Sequence, residues 1–322
     1  MNMKHVVCMV AAVLGLASCG SLETISFDQL NPATYSFPRQ VKNVAVINRM
    51  PPIAEAKANL MTLGDSDGDG KMSTEALASA LADSKYFNKV VLCDSALYAA
   101  GQQNLSPETV GELAAGLDAD MLISLERVLI QKARYDLLYP GADMPWSVVR
   151  VKVTPVINLY MPSREKPVRM VYRTDSLEWN VDDVISDRAM LKEAASFAAH
   201  IASRELVPYW TSADRFYYAG GSSGMRDAAV WVKENQWDKA YNTWKALFDA
   251  SKSEKVKQKT AFNLALASEM QGRMEQAESW MAEAKKRLKP GTRDEAIWKL
   301  YASQLKKRKT DYVRLDTQMS RF

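Results

Sequence analysis

Residues 117–124, LDADMLIS, predict the step that decides the fold, where the end of a helix leads directly into a strand. The preceding helix has a clear start, because Ser106 is a favoured N-cap residue and Pro107 suits the first helical position. The strand that follows is predicted over residues 121–130, which are rich in aliphatic side chains. A strand entered from a helix indicates a sheet with a parallel part.

Strands and helices alternate up to this step, and two further strands and then a helix follow it. Strands separated by helices favour parallel pairing, whereas consecutive strands favour an antiparallel addition. We therefore expect an α+β domain, built as one mixed α/β sheet with helices packed on it. The predicted strands cover residues 41–48, 89–92, 121–130, 146–160 and 167–179, and the predicted helices cover residues 73–86, 106–117 and 186–210.

The order of these elements resembles the α/β domains of the curli-secretion lipoprotein and of the lipoprotein activators of peptidoglycan synthases. The resemblance spans residues 40–210 and depends on the LDADMLIS step and on the long β-hairpin after it. It implies a small mixed sheet and assigns no residue a role.

A second domain is predicted after residues 220–224, GGSSG, which have the composition of a flexible joint. Residues 225–309 are predicted to be helical throughout, with a pattern that repeats at an offset of 37 residues. Its spacing and small residues resemble a tetratricopeptide repeat, so we expect an all-α, tetratricopeptide-like helical-repeat domain. In the two copies, Asn235, Trp237, Ala240, Trp244 and Leu247 align with Gly272, Met274, Ala277, Met281 and Ala284.

Repeats of this type most often present a groove to a peptide or protein. We therefore predict that Trp237, Tyr241, Trp244 and Met281 contact a partner. The alternative is that the repeat only buttresses the first domain, because two copies and a cap are fewer than independent stability usually requires.

The N-terminus resembles a bacterial lipoprotein signal. Lys4 precedes an apolar run over residues 6–16, which is too short to span a bilayer, and LASC follows at residues 16–19. LASC resembles the lipobox, which implies cleavage before Cys19 and lipid on its sulfur; an ordinary secretory signal is the alternative. The predicted segments are a signal peptide at 1–18, a tether at 19–38, the α/β domain at 39–219, the joint at 220–224 and the helical domain at 225–322.

Few side chains are available for nucleophilic or metal chemistry. Without the signal peptide, the chain keeps the lipidated Cys19, one further cysteine, Cys93, and one histidine, His200. Cysteine nucleophiles and catalytic triads need a histidine partner, and most zinc sites need several such ligands. We place Cys93 in a buried strand and His200 on a helix. We therefore predict that the protein is not an enzyme and uses no cofactor.

Residues 65–70, DSDGDG, resemble the start of a calcium-binding loop, with Asp65, Asp67 and Asp69 as the candidate ligands. The twelfth position of such a loop should be a bidentate glutamate, but here it is Ala76. A turn rich in Gly and Asp is the alternative that we favour.

Charge is unevenly distributed along the chain. Residues 221–322 contain 21 Lys and Arg against 13 Asp and Glu, most densely in KKRK at residues 306–309. We interpret this run as a solvated helix face, with contact to an anionic lipid or a glycan as the alternative. Nucleic acid is not expected as the partner of an exported lipoprotein.

Several stretches resemble a family of Bacteroidetes outer-membrane lipoproteins of unknown function. We predict a lipid-anchored, non-enzymatic adaptor that binds an envelope protein; a glycan- or peptidoglycan-associated binding module is the alternative. Only Glu23 is acidic near the anchor, so we favour an outer-membrane location facing the periplasm over surface exposure. The stretches are LASC at 16–19, FP at 37–38 with VAV at 44–46, ALA at 76–78 through YF at 86–87, VLCDSAL at 91–97, LVPYW at 206–210 and the repeat from Trp237.

Overall fold

The computed structural model describes residues 22–52, 63–97, 104–138, 145–180 and 186–321. The fold-class prediction is confirmed: a mixed α/β sheet region is followed by a helical segment. The elements are β1 (Leu22–Asn31), β2 (Asn43–Asn48), β3 (Gly64–Asp67), α1 (Gly70–Asp83), β4 (Lys89–Ala96), α2 (Pro107–Leu117), β5 (Met121–Leu137), β6 (Trp146–Tyr160), β7 (Arg169–Tyr172), β8 (Asp175–Asn180), α3 (Asp187–Leu206), β9 (Tyr209–Tyr218), α4 (Ser223–Lys233), α5 (Trp237–Ala250), α6 (Glu254–Met270), α7 (Met274–Lys285) and α8 (Arg293–Met319).

The chain forms two compact units, whose limits differ from the predicted domains. Of the described residues, the helical unit contains 22–29 and 210–313, and the α/β unit contains those from 30 to 209 and 314–321. The predicted limit at residues 220–224 therefore lies inside the helical unit, because β9 belongs mainly to that unit.

The α/β unit is built on a seven-stranded mixed sheet. Strand β2 is parallel to β4 and β5, while β5 and β6 form a long antiparallel pair, and the main strand order is β4-β2-β5-β6-β7. Strand β3 pairs with β5, and β8 pairs with β6. The single strand predicted over 167–179 is thus two short strands that both pair with β6.

The two faces of the sheet pack against different helices. Val46 and Ile123 face the larger core, which also contains Leu81 of α1 and Ile201 of α3. Their neighbours along the strands point to the opposite face, because side chains alternate in a strand. On that face, side chains such as Leu122 pack with α2.

Helix α3 ends earlier than predicted, and a strand replaces its last predicted turn. Val207 has an extended backbone and precedes Pro208, and a residue before proline is disfavoured in the helical region. The predicted helix over 186–210 is therefore wrong after Leu206, and Tyr209 begins β9.

The C-terminal segment, residues 314–322, was predicted to be helical-domain sequence but belongs to the α/β unit. The Gln318 side chain accepts a hydrogen bond from the Ala33 N–H and donates to the Ala33 carbonyl, at 3.0 and 2.9 Å. Arg321 lies over the Tyr86 ring at 4.5 Å and donates to the Val41 carbonyl. These contacts join residues that are between 235 and 285 positions apart, and they fix the C-terminal segment in the α/β unit.

The helical unit combines successive helices with a two-stranded sheet. Helix α5 packs against α4 and α6, and α6 packs against α7. Strand β1 pairs with β9. The predicted tether over 19–38 is therefore wrong from Leu22 onward, because a ten-residue strand lies there. No helix in the described ranges is long and apolar enough to cross a bilayer.

Candidate functional site

Three of the four predicted partner-binding residues lie in the core of the helical unit. Trp237, Trp244 and Met281 are 8%, 0% and 3% exposed. The Trp244 ring packs 6.5 Å from the Tyr217 ring of β9. A surface role for these three side chains is therefore wrong, because the helical spacing that selected them marks the buried face of each helix.

Tyr241 is the exception, since it is half-buried and lies in a small aromatic group. Its hydroxyl accepts hydrogen bonds from Trp280 Nε1 and Gln276 Nε2, both at 3.2 Å. The Trp280 ring lies edge-on to Phe248 at 5.2 Å. We call Tyr241, Phe248 and Trp280 the outer aromatic face. Phe248 and Trp280 are not among the residues predicted to bind a partner, although the seven-residue spacing of Phe248 from Tyr241 places both on one face of α5.

Cations lie over the rings of the outer aromatic face. The Arg273 guanidinium is 4.9 Å from the Tyr241 ring centre, and Arg287 is 5.5 Å from that of Phe248. Arg287 also pairs with Glu283, at 2.7 Å. Hydrogen bonds, first from Lys286 and then from Arg287, lower the pKa of the Glu283 carboxyl. The face thus presents rings and positive charge held in place by neighbouring carboxylates.

The side of α6 that faces β9 is occupied by the chain itself. The Asn263 side chain accepts from the Tyr218 N–H at 2.8 Å and donates to the Tyr218 carbonyl at 2.7 Å. The Asn263 side chain thus binds both main-chain groups of Tyr218, in the way that a protein binds the main chain of a peptide ligand. Strand β9 therefore takes the place on α6 that a bound peptide would need.

A buried carboxylate fixes the same strand. Glu269 is fully buried and accepts from Arg215, Arg308 and Tyr301 at 2.9, 2.9 and 2.8 Å. Burial, with the nearby Glu269 charge, raises the pKa of Tyr301 well above its ordinary range. Every charge in this group has an opposite partner, so the group is a structural lock between β9, α6 and α8.

The three aspartates that were candidate calcium ligands have structural roles in a strand and at the start of a helix. Asp65 and Asp67 lie in β3, where Asp67 accepts from Arg127 Nε at 2.6 Å. Asp69 is the N-cap of α1 and accepts from the Met72 N–H at 2.7 Å. A Cβ at Gly70 would lie 2.8 Å from Asn48 Oδ1, so close packing explains this glycine.

The calcium-loop hypothesis is therefore wrong for this segment, because a strand and a helix cap replace the loop. Within the described ranges, no group of three or more His, Cys, Asp or Glu side chains could hold a metal ion.

A second polar group lies where parallel strands end in the α/β unit. Arg49, directly after β2, is 3.1 Å from Glu126 and donates to the Tyr160 hydroxyl at 3.4 Å. Glu126 is the extra residue of a bulge in β5, which turns its side chain toward Arg49. Burial, followed by the Glu126 charge, raises the pKa of Tyr160. The sequence does not reveal this group, because its members come from three separate segments of the chain, the residue after β2 and strands β5 and β6.

Two further polar atoms on this face lack partners. Ser124 and Asn158 are opposite each other on β5 and β6, and both are buried. Within the described part of the chain, Ser124 Oγ and Asn158 Oδ1 have no hydrogen-bond partner. Bound water is the usual reason for such a pair in a folded core.

The remaining candidate residues lie apart. Cys93 of β4 packs with the α2 side of the sheet, whereas α3, which carries His200, packs on the other side. The sheet therefore separates the cysteine from the histidine. Cys19, the predicted lipid site, lies outside the described residues.

The chain is distantly similar to several solved structures. No curated protein is significantly similar to it. The PelC dodecamer from Paraburkholderia phytofirmans is 14% identical, with 57% of this chain and 99% of that chain covered and a TM-score of 0.27. A minor lipoprotein from Acinetobacter baumannii is 10% identical, with 52% and 92% covered and a TM-score of 0.26.

Two family models match separate parts of the chain. A domain of unknown function, DUF6340, matches residues 226–307 in the helical unit. A second domain of unknown function, DUF8603, matches residues 41–218, which is more than half of the chain. The interval between the two matches contains the predicted joint at 220–224. The protein therefore belongs to the DUF8603 family of unknown function.

Proposed function

We propose that this protein is a lipid-anchored, non-enzymatic adaptor of the bacterial cell envelope, which holds a partner protein on its tetratricopeptide-like helical unit. The anchor is Cys19, on the strength of the LASC stretch and the apolar run before it. The observation that carries the adaptor role is the outer aromatic face. The proposed binding surface is therefore the outer side of α5 and α7, and not the groove that the repeat predicts.

The outer aromatic face has the chemistry of a protein interface. Tyr and Trp are enriched at interfaces because each has a large apolar ring and one polar tip. Tyr241 and Trp280 are partly exposed and stay fixed in the free protein by their mutual hydrogen bond. A fixed ring loses little conformational entropy on binding, which favours affinity.

The glycan-binding alternative has less support, because the basic run in α8 is largely neutralised. Lys307 pairs with Asp311, and Arg308 is one of the partners of Glu269. Lys309 is 2.7 Å from Glu278. A glycan or peptidoglycan contact through this run would first have to break these pairs. We therefore prefer the adaptor.

The finer location is part of the proposal. An outer-membrane site facing the periplasm, in a Bacteroidetes cell, follows from the resemblances of the sequence and from the lack of an acidic run after Cys19. The α/β unit, with its curli-secretion-like order of elements, then serves as the scaffold. Cys93 and His200 lie on opposite sides of the sheet, which supports a non-enzymatic role.

The adaptor role is tested by crosslinking and quantitative affinity capture from intact envelopes. We expect that Trp280→Ala and Tyr241→Ala each reduce the recovered partner severalfold, because each removes a ring of the outer aromatic face. Tyr312→Ala is the matched control, since Tyr312 is an exposed aromatic residue of α8 outside that face. Equal recovery from all four proteins would overturn the adaptor proposal.

Anchoring is tested separately. Cys19→Ser should move the protein from the membrane fraction to the soluble fraction, and mass spectrometry of the wild-type N-terminus should show a lipid on Cys19. Unmodified Cys19 in a membrane preparation would contradict the anchor.

A further inference from the structure

The first strand starts very close to the proposed lipid anchor. Leu22 begins β1, and only Gly20 and Ser21 separate it from Cys19. Three extended residues span at most about 11 Å. A lipid on Cys19 would therefore hold the start of β1 within that distance of its own attachment point, in place of the long tether that the sequence predicts.

We propose that the end of the β1–β9 sheet where Leu22 lies is a membrane-contact surface, which rests on the phosphate headgroups of the bilayer. This proposal depends on the proposed lipidation of Cys19. Its occupant is the lipid surface, because the anchor is too short to allow another partner between this end of the sheet and the bilayer.

Side-chain contacts define which residues lie at this end. The Tyr217 hydroxyl donates to Glu23 at 2.7 Å, and Ser26 donates to Asp214 at 2.6 Å. The two strands therefore run in opposite directions, so the start of β1 lies beside the end of β9. The side chains around Glu23 and Tyr218 form the surface nearest the anchor.

Cations are placed around these two residues. Lys233 Nζ is 3.1 Å from Glu23, and the lysine side chain is 66% exposed. Lys259 Nζ lies 4.9 Å from the Tyr218 ring centre. Arg293 is exposed beside Asp294, which accepts a hydrogen bond from the Tyr218 hydroxyl at 2.8 Å.

The charge of this end is suited to phosphate. Three cations, Lys233, Lys259 and Arg293, stand against two carboxylates, Glu23 and Asp294. Both carboxylates accept hydrogen bonds from tyrosine hydroxyls, and the group of five charged side chains keeps one net positive charge. Basic residues within a Debye length of an anionic leaflet are attracted to it.

Lysine footprinting tests the contact without relying on lipidation in cells. The mature chain with Cys93→Ala is coupled through Cys19 to a maleimide lipid in vesicles of phosphatidylethanolamine and phosphatidylglycerol. A water-soluble acylating reagent then modifies exposed lysines, and mass spectrometry gives the rate at each lysine, for vesicle-bound and free protein. We expect Lys233 and Lys259 to react about fivefold more slowly on vesicles.

Two controls make the outcome specific. Lys245 and Lys286, which pair with Asp249 and Glu283 on their own helices, should react at the same rate in both states. A flexible Gly/Ser insertion of ten residues before Leu22 should restore the reactivity of Lys233 and Lys259. Unchanged rates at these two lysines with the short natural linker would overturn the membrane contact. Absence of lipid on Cys19 in cells would instead overturn the proposed anchor.

Discussion

Two buried polar groups in the described part of the chain, one in each unit, differ in how completely they are paired. In the helical unit, Glu269 is surrounded by Arg215, Arg308 and Tyr301. In the α/β unit, Arg49 and Glu126 are paired, yet the neighbouring Ser124 hydroxyl has no partner among the described residues.

The difference shows what each group can contribute. A fully paired buried charge locks the elements that supply its partners, and removing it leaves the other charges stranded. A partly paired group at the ends of parallel strands has unused hydrogen-bonding capacity, which is more often filled by water. The lock in the helical unit is therefore expected to dominate stability.

The largest effect is expected for Glu269→Ala. The substitution leaves Arg215, which is 4% exposed, without its carboxylate, and should lower the free energy of unfolding by about 3–5 kcal/mol. Urea unfolding followed by tryptophan fluorescence measures the loss. Glu278→Ala removes a carboxylate of an exposed pair with Lys309 and should cost less than about 1 kcal/mol. Similar losses for both variants would contradict the lock.

A smaller effect is expected for Arg49→Ala in the α/β unit. Glu126 keeps some access to water, so loss of its partner should cost about 1.5–3 kcal/mol, less than Glu269→Ala. Urea unfolding of both proteins gives the comparison. A larger loss for Arg49→Ala than for Glu269→Ala would reverse the order of the two groups.

Ser124→Ala tests the cost in stability of removing a buried hydroxyl that makes no hydrogen bond to the described residues. We expect a change of less than about 0.5 kcal/mol in the free energy of unfolding, because no protein hydrogen bond is lost. Ser268→Ala is the matched control: Ser268 is equally buried, but its hydroxyl donates to the Leu264 carbonyl at 2.7 Å. That variant should cost about 1 kcal/mol. Equal costs would mean that the Ser124 hydroxyl makes a hydrogen bond as strong as that of Ser268.

The smallest effect is expected at Glu23. The Tyr217 hydrogen bond is the main cause that lowers the pKa of the Glu23 carboxyl from its ordinary value of 4.5. Its stabilising effect is therefore present above that value and is lost as pH falls through the lower, folded-state pKa. Tyr217→Phe should raise the Glu23 pKa toward 4.5 in an NMR titration. Tyr312→Phe, at an exposed tyrosine, should leave it unchanged.

Local signals in the sequence predicted most secondary structure. Ser106 is the N-cap of α2, as its position before Pro107 indicated, and its side chain accepts from the Thr109 N–H at 3.1 Å. Strand β2 lies within the aliphatic run over 41–48. Such signals depend on a few neighbouring residues, so they can be recognised without knowledge of the rest of the chain.

Long-range pairing explains the main errors. Strand β1 pairs with β9, about 190 residues away, so residues 22–31 appeared to be a tether. The candidate site was misplaced for a related reason. Helical periodicity identifies a face that shares one environment, but only packing with α4, α6 and β9 shows that Trp244 is fully buried and Tyr241 is half-buried.

By itself, the sequence determined the mixed sheet with helices packed on it, the helical character of residues 225–309 and the scarcity of cysteine and histidine, because these are properties of neighbouring residues or of composition. Tertiary structure alone decided that Asp65 and Asp69 serve a strand and a helix cap, that β9 fills the side of α6, and that residues 22–31 form a strand. Each of these depends on contacts between segments far apart in the chain, whose burial and hydrogen bonds no local pattern encodes.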